Sequence, residues 1–318
     1  MPKSIGSEHD RPPRDGEGFL RLLADERMLA LLRALNDGPL ERAELGRRLG
    51  GPERTLDHRL EALTEMGIAV RRPSARDHRR VECALTEAGG ELLQVAEQTQ
   101  AALLLAPAPR RASISLLLKL IADRVNRLIL RALLGGPQPF RELLRLVPEL
   151  RRGTLQRHLE ELVAGGLARA LPGERGGARR YELTEFVTLL ARVAVLAACW
   201  RLRWTPRRVP RMAGDLAGLV RVIASRVRLP PGVRGTCLLH VQPPPGVEGW
   251  PDVELSLAGG RISVLAFDPA RAPDARAQAP PLALCEALLS GEPSGIEIEG
   301  ERALAEALLA ALAAALRP

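Results

Sequence analysis

Positions 54–69 read RTLDHRLEALTEMGIA, and positions 153–168 repeat the pattern as GTLQRHLEELVAGGLA, 99 positions further along the chain. Within the first copy, leucines recur at the spacing i, i+4 and i+7, at Leu56, Leu60 and Leu63. This spacing predicts a short α-helix that buries one apolar stripe. The same helix is predicted for the second copy.

The remaining residues of each stretch fit a helix that ends at a glycine. Gly67 and Gly166 stand where a residue in the left-handed conformation would cap the helix C-terminus. The face opposite the leucines is polar in the first copy and carries Arg54, Asp57, His58 and Glu61. This polar face is available to meet a partner.

The surroundings of the two stretches repeat as well. Positions 34–39 (ALNDGP) are echoed by 132–137 (ALLGGP), and positions 84–87 (ALTE) by 182–185 (ELTE). The offset is 98 at both outer points and 99 in the middle, so one residue is inserted and one removed between them. Such regular self-similarity indicates an internal duplication.

Each copy has the element order of a winged helix. In the first copy we expect helical segments between Phe19 and Leu35 and over 40–49, then the quoted helix, strands over 69–72 and 79–85, and a helix over 86–105. A helix–turn–helix followed by a hairpin with a basic tip is typical of proteins whose second helix enters the DNA major groove.

Three motifs of the second copy carry a family resemblance. Positions 136–143 (GPQPFREL), 154–162 (TLQRHLEEL) and 180–184 (RYELT) resemble the HxlR branch of the MarR-like winged-helix transcription regulators. The resemblance covers residues 120–205 well and residues 25–105 less closely. It implies a sequence-specific transcriptional regulator that binds double-stranded DNA, and homodimers are common in that family.

In a winged helix, the N-terminal half of the second helix faces base edges and the hairpin contacts the backbone. In the second copy this places Arg152, Thr154, Gln156 and Arg157 at the groove and Arg175, Arg179 and Arg180 on the wing. In the first copy it places Arg54, Thr55, His58 and Arg59 at the groove and Arg71, Arg72, Arg76, Arg79 and Arg80 on the wing.

Charge qualifies this prediction in the first copy. Glu53, Asp57 and Glu61 put negative charge beside its groove-facing positions, so that copy is either a weak reader or a packing partner. An arginine-rich face is also often merely solvated. The competing hypothesis is therefore a protein-interaction module, in which degenerate winged helices dock a partner protein.

The charge balance differs along the chain. Lys and Arg number 46 against 38 Asp and Glu, a net charge of +8. Residues 1–212 hold 37 basic and 26 acidic residues, whereas residues 213–318 hold 9 and 12. A basic front and a mildly acidic rear predict that only the front meets a polyanion.

Other patterns narrow the class of protein. Four scattered cysteines without a secretory leader predict a reduced, cytoplasmic location. The most apolar run, 186–200, is too short to cross a bilayer, so we expect no membrane span. The nucleotide-binding, zinc-protease and nucleophile-elbow motifs are missing, and no histidine has a metal-ligand partner at suitable spacing. We therefore expect no enzyme activity, no cofactor and no metal.

The last third changes character. We expect strands over 236–242, 252–257, 261–268 and 295–299 and helices over 280–290 and 302–316. This order resembles the sterol-carrier-protein-2-like (SCP2-like) α+β domain found behind winged helices in some regulators. The fold class predicted for the chain is mainly α with α+β: a disordered tail (1–17), winged helices over 18–106 and 112–206, and an SCP2-like domain over 213–318.

Two features of the rear half leave alternatives open. The apolar strand residues Val253, Leu255, Leu257, Ile262 and Val264 either fill an ordinary core or enclose an apolar small-molecule effector. The leucine- and alanine-rich helix predicted over 187–200 either packs against the rear domain or forms a homodimer.

Overall fold

The computed structural model describes residues 25–75, 77–105, 120, 123–133, 136–173, 178–184, 186–204, 212–224, 227–243, 252–265, 268 and 270–317. The tail predicted over 1–17 and residues 107–111, which separate the two predicted winged helices, lie outside them. The chain divides into two compact units, Met1–Ala101 with Ala112–Arg124 and Ala102–Arg111 with Val125–Pro318. The first unit holds the first copy of the repeat, and the second unit holds the second copy and the rear domain.

The first copy has the predicted element order. Its elements are α1 (Glu26–Asn36), β1 (Leu40–Glu41), α2 (Arg42–Leu49), α3 (Glu53–Glu65), β2 (Ala69–Pro73), β3 (Val81–Leu85) and α4 (Glu87–Leu105). The strands form an antiparallel sheet in the order β1-β3-β2. The helix predicted to begin at Leu40 begins instead at Arg42, because Leu40 and Glu41 pair with Cys83 and Glu82 of β3.

Helix α3 is held by the predicted leucine stripe, since Leu56, Leu60 and Leu63 are all buried. Gly67 has a φ of +72°, which confirms the predicted left-handed cap. Immediately after it, the amide of Ile68 donates a hydrogen bond to the Leu63 carbonyl at 2.9 Å. The helix therefore ends sharply, and the chain passes directly into β2.

A threonine joins the end of this helix to the wing through two hydrogen bonds. The hydroxyl of Thr86 donates to the Gly67 carbonyl at 2.6 Å, and its amide donates to the Ile68 carbonyl at 3.0 Å. In the second copy, the hydroxyl of Thr184 donates to the Gly166 carbonyl, also at 2.6 Å. The two copies thus share one local solution for joining the second helix to the hairpin.

The second copy follows the same plan. Its elements are α5 (Arg124–Ala132), β4 (Gln138–Pro139), α6 (Phe140–Leu146), α7 (Arg152–Ala164), β5 (Ala168–Leu171), β6 (Arg180–Leu183) and α8 (Phe186–Trp204). The sheet order β4-β6-β5 matches that of the first copy, and Gly166 also has a φ of +72°. The mixed α and β composition and the tandem helix-turn-helix arrangement are as predicted.

The rear domain is one five-stranded sheet with helices. Its elements are α9 (Met212–Ala224), β7 (Gly235–Val241), β8 (Val253–Ala258), β9 (Arg261–Val264), β10 (Ala275–Ala279), α10 (Pro281–Ser290), β11 (Glu297–Gly300) and α11 (Arg302–Leu316). The sheet order is β11-β10-β7-β8-β9, and β7 and β10 run parallel whereas the other neighbours are antiparallel. The prediction missed α9 and β10, and it extended β9 too far.

Helix α8 packs against helices α9, α10 and α11 of the rear domain, which confirms the packing alternative. Arg203 forms a 2.7 Å ion pair with Glu286, and the guanidinium of Arg192 donates to the Leu316 carbonyl at 2.9 Å. A hydrogen bond with Cys199, together with burial, raises the pKa of the Cys285 thiol. Among the helices of the described ranges, none combines the length and the apolarity that crossing a lipid bilayer requires.

Two adjacent glycines at the start of α4 give a test of the packing in the first copy. A methyl group added at Gly89 would lie 2.2 Å from the Ile68 carbonyl oxygen, whereas one added at Gly90 meets nothing within 4 Å. We expect Gly89→Ala to lower the free energy of unfolding by about 1–3 kcal/mol through steric overlap. Gly90→Ala should raise it by up to about 1 kcal/mol through helix propensity. Chemical denaturation measures both, and equal effects would contradict the packing.

Candidate nucleic-acid interface

The outer face of α7 presents cationic and amide side chains to solvent. Its leucine stripe, formed by Leu155, Leu159 and Leu162, is buried. On the other side, Arg152, Gln156 and Arg157 are exposed, and Thr154 is half-buried. The structure therefore brings three of the four predicted groove residues of the second copy to the surface of one helix.

Arg152 begins this helix and lies over an aromatic ring. Its guanidinium carbon is 5.9 Å from the centroid of Phe140, the first residue of α6. Exposed cation–π contacts of this kind contribute about 0.5–1 kcal/mol. Arg152 makes this contact while remaining exposed to solvent.

Arg157 is held at two points on the same face. Its Nη1 donates to Glu161 Oε1 at 2.9 Å, and its Nη2 lies 3.0 Å from His158 Nε2. Beside it, Gln156 Nε2 donates to Glu160 Oε1 at 3.1 Å. A guanidinium has five N–H donors, so these two contacts leave further donors for a ligand.

The three arginines predicted on the wing of the second copy differ in their exposure. Arg179 is exposed, but Arg180 is half-buried and donates to the Pro137 carbonyl at 3.0 Å. Arg175 lies outside the described residues. Arg169, on β5, forms an ion pair with Glu182 of the neighbouring strand.

On α3 of the first copy, Arg54 and His58 are exposed and Thr55 is half-buried. Arg59 instead turns inward: its side chain is 23% exposed and pairs with Asp25 at 3.2 Å. Asp25 is the N-cap of α1 and accepts from the amide of Arg27 at 3.0 Å. Arg59 thus supports the join between α1 and α3 and is set apart from the exposed face.

Two acidic residues, Glu53 and Asp57, lie in the N-terminal part of α3. Arg42 donates to Asp57, and a second contact joins it to Glu53 at 3.2 Å. The hydrogen bond from Arg42 holds the pKa of the Asp57 carboxyl below its usual value. Arg42 begins α2 and Glu53 begins α3, which are the helix positions of Phe140 and Arg152 in the second copy.

The wing of the first copy is more basic than the wing of the second copy. Arg71, Arg72 and Arg79 are exposed, and Arg80 pairs with Glu41 at 2.9 Å. This hydrogen bond raises the pKa of the Arg80 guanidinium. Arg76 lies outside the described residues.

The residues predicted to line an apolar ligand site lie in the sheet of the rear domain. Val253, Leu255, Leu257 and Ile262 are buried, and Val264 is half-buried. They face the same side of the sheet because Leu255 pairs with Val264 and Leu257 with Ile262 in the register of β8 and β9. This placement fits a core, and the ligand site stays a prediction.

Three structurally important residues escaped prediction. Arg42 and Phe140 are the first residues of corresponding helices. Aligning the two copies would have shown that an arginine in one copy stands where the other has a phenylalanine. Asn126 is buried and contacts His158 from α5. Its signal was a polar residue on the buried face of an amphipathic helix, at the place where the first copy has Met28.

Comparison with known proteins finds the same duplication. Residues 22–102 and residues 120–208 each match the family model described as HxlR-like helix-turn-helix. No curated protein matches the chain.

The acidic pair on α3 can be tested by titration. Because the folded pKa of Asp57 is lowered, the ion pair stabilises the protein above the usual pKa of Asp and stops doing so as the pH falls through the lowered value. We expect Arg42→Gln to move the Asp57 titration upward, as measured by carboxyl-carbon NMR. Arg48→Gln, which removes an α2 arginine paired with Glu44, should leave it unchanged. Equal shifts in both variants would contradict the pairing.

Proposed function

The chain belongs to the HxlR-like helix-turn-helix family of DNA-binding transcriptional regulators, and from this we propose that it binds specific DNA sequences through α7 of its second winged helix. The observation that carries the proposal is the exposed face of α7. It presents Arg152, Gln156 and Arg157 together, with the leucine stripe buried behind them.

These side chains suit base recognition. Arginine can form two hydrogen bonds with guanine, and glutamine can form two with adenine, in the major groove. The N-terminal half of the second helix is the part that approaches base edges in helix-turn-helix proteins. Arg152 and Gln156 lie in that half, one turn apart, and Arg157 follows directly.

The first copy has the opposite chemistry at the corresponding positions. The first, fifth and sixth residues of α3 are Glu53, Asp57 and His58, where α7 has arginine, glutamine and arginine. Carboxylates beside a phosphate backbone repel it. We therefore propose that the first copy contributes through Arg71, Arg72 and Arg79 on its wing, which suit sequence-neutral phosphate contacts.

The competing proposal is a partner protein in place of DNA, supported by the acidic first residues of α3. The two proposals differ in their dependence on salt. Each phosphate contact that a protein makes releases counterions, so DNA affinity falls steeply as salt rises. An exposed protein interface with few ion pairs loses much less affinity over the same range.

For the rear domain we retain the proposal of an SCP2-like fold and an apolar effector, which rests on the sequence resemblance. A five-stranded sheet with three helices is compatible with it. Since most of the predicted lining residues are buried, an effector would have to separate side chains that now form the core. The homodimer and the cytoplasmic location likewise remain predictions.

Sequence selection with random duplexes, followed by gel shift, tests the DNA proposal. We expect Arg157→Ala to lower affinity for the selected site roughly 10-fold or more, because a groove-facing arginine contributes about 1–3 kcal/mol of discrimination. His58→Ala changes the corresponding residue of the first copy and should cost much less. Losses of equal size in the two variants would contradict the assignment of α7 as the reading helix.

Salt dependence supplies an independent test of the wing. We expect Arg71→Ala and Arg72→Ala each to make the slope of log affinity against log salt shallower by about 1, with little change in sequence preference. Arg317→Ala, which removes an exposed arginine of the rear domain, serves as a control and should leave the slope unchanged. Affinity that does not change with salt would favour the partner-protein alternative.

The effector proposal predicts a change in thermal stability. A ligand that binds only the folded rear domain raises the free energy of unfolding by RT ln(1 + L/Kd), where L is its free concentration, and Tm rises with it. A thermal-shift screen with fatty acyl and polyketide-like compounds should find a stabilising ligand, and Leu255→Trp should remove the shift by filling the site. A screen without any stabilising compound would count against the effector.

A further inference from the structure

A buried polar pair lies directly behind the exposed face of α7. His158, the seventh residue of the helix, is 6% exposed, and Asn126 of α5 is 1% exposed. His158 Nδ1 lies 2.9 Å from Asn126 Oδ1. Buried polar groups are costly unless they are hydrogen-bonded, so this pair is expected to hold one geometry.

The partners of the imidazole define its tautomer. The amide oxygen of Asn126 can only accept, and a carboxylate oxygen, Glu161 Oε2, lies 3.6 Å from the same Nδ1. On the other side, Nε2 faces Arg157 Nη2, which can only donate. These two contacts are both satisfied when the ring carries its hydrogen on Nδ1 and accepts the hydrogen bond from Arg157 at Nε2.

We propose that His158 is a positioning residue for Arg157: fixed by Asn126, it holds the guanidinium in one direction on the outer face of α7 before DNA binds. The inference rests on the proposed function, because it gives Arg157 a role in binding DNA. Arginine has a flexible side chain, and restraining it in advance lowers the ordering cost of binding. His158 raises affinity in this way without contacting a base.

The first copy lacks this device, although the frame around it is the same. The seventh residue of α3 is Arg59, which pairs with the N-cap Asp25, and the sixth residue is His58 in place of Arg157. No orienting acceptor can come from Arg59, because a guanidinium only donates. The restraint is thus specific to the helix that we assign to base recognition.

The tautomer can be measured without DNA. In the full chain labelled with nitrogen-15, the chemical shifts of the His158 ring nitrogens should identify the Nδ1–H form, and Asn126→Met, which installs the residue of the first copy, should abolish its predominance. Observation of the Nε2–H form would overturn the inference. It would leave the proposed function intact, because DNA binding by α7 does not require this tautomer.

Binding measurements test the positioning role. On the selected DNA site, we expect His158→Leu to lower specific affinity roughly 3- to 10-fold and to leave non-specific affinity unchanged, since one immobilised side chain is released. His158→Gln should rescue it, because the glutamine amide can both accept from Arg157 and donate to Asn126. Combined with Arg157→Ala, His158→Leu should cost nothing further in specific affinity.

Three outcomes separate the failures. If Arg157→Ala has no effect on binding, both the proposed function of α7 and the positioning role fall. If Arg157→Ala weakens binding and His158→Leu does not, the positioning role alone is overturned. If His158→Leu lowers specific and non-specific affinity equally and His158→Gln does not rescue, His158 is structural only. Asn126→Met provides the second variant should His158→Leu fold poorly.

Discussion

In each winged helix, a hydrogen bond from a threonine hydroxyl to a glycine carbonyl joins the hairpin to the second helix. Gly67 and Gly166 both adopt a φ of +72°, a conformation that other residues enter only with strain. The carbonyl that each glycine presents is then bonded by a threonine hydroxyl at 2.6 Å. Since the threonine follows the hairpin and the glycine ends the helix, this hydrogen bond fixes the wing against the second helix. The residues that we propose to face the DNA groove lie on the helix that this hydrogen bond holds.

The two copies share this frame, but they carry the positive charge on different helices. The contact between the first residues of the two helices persists, but its chemistry differs: an ion pair of Arg42 with Glu53 in the first copy, and a cation–π contact of Arg152 with Phe140 in the second. The positive charge has moved from one helix to the other. The packing of the pair thus tolerates either arrangement, and the surface offered to a polyanion reverses in character.

Local patterns made much of this fold predictable, and non-local contacts explain what was not. The leucine stripes and Gly67 act within a few residues, so their spacing suffices to predict a helix and its end. The two-residue strands β1 and β4 are too short to show periodicity. Strand β10 is rich in alanine and joins β7 in parallel across a long stretch of chain. The inward turn of Arg59 depends on Asp25, which no spacing along α3 reveals.

The packing of α8 affects how this protein can be divided. The helix continues directly from the second winged helix, yet its buried side chains, among them Val193, Val195 and Trp200, lie in a helix that packs against three helices of the rear domain. A fragment that ends at Trp204 would therefore carry an apolar surface into water and would tend to aggregate. Proteolysis between α8 and α9 has a matching consequence. The rear domain cut from α8 would expose the apolar side chains that α8 now covers. Cellular quality control should therefore degrade both pieces.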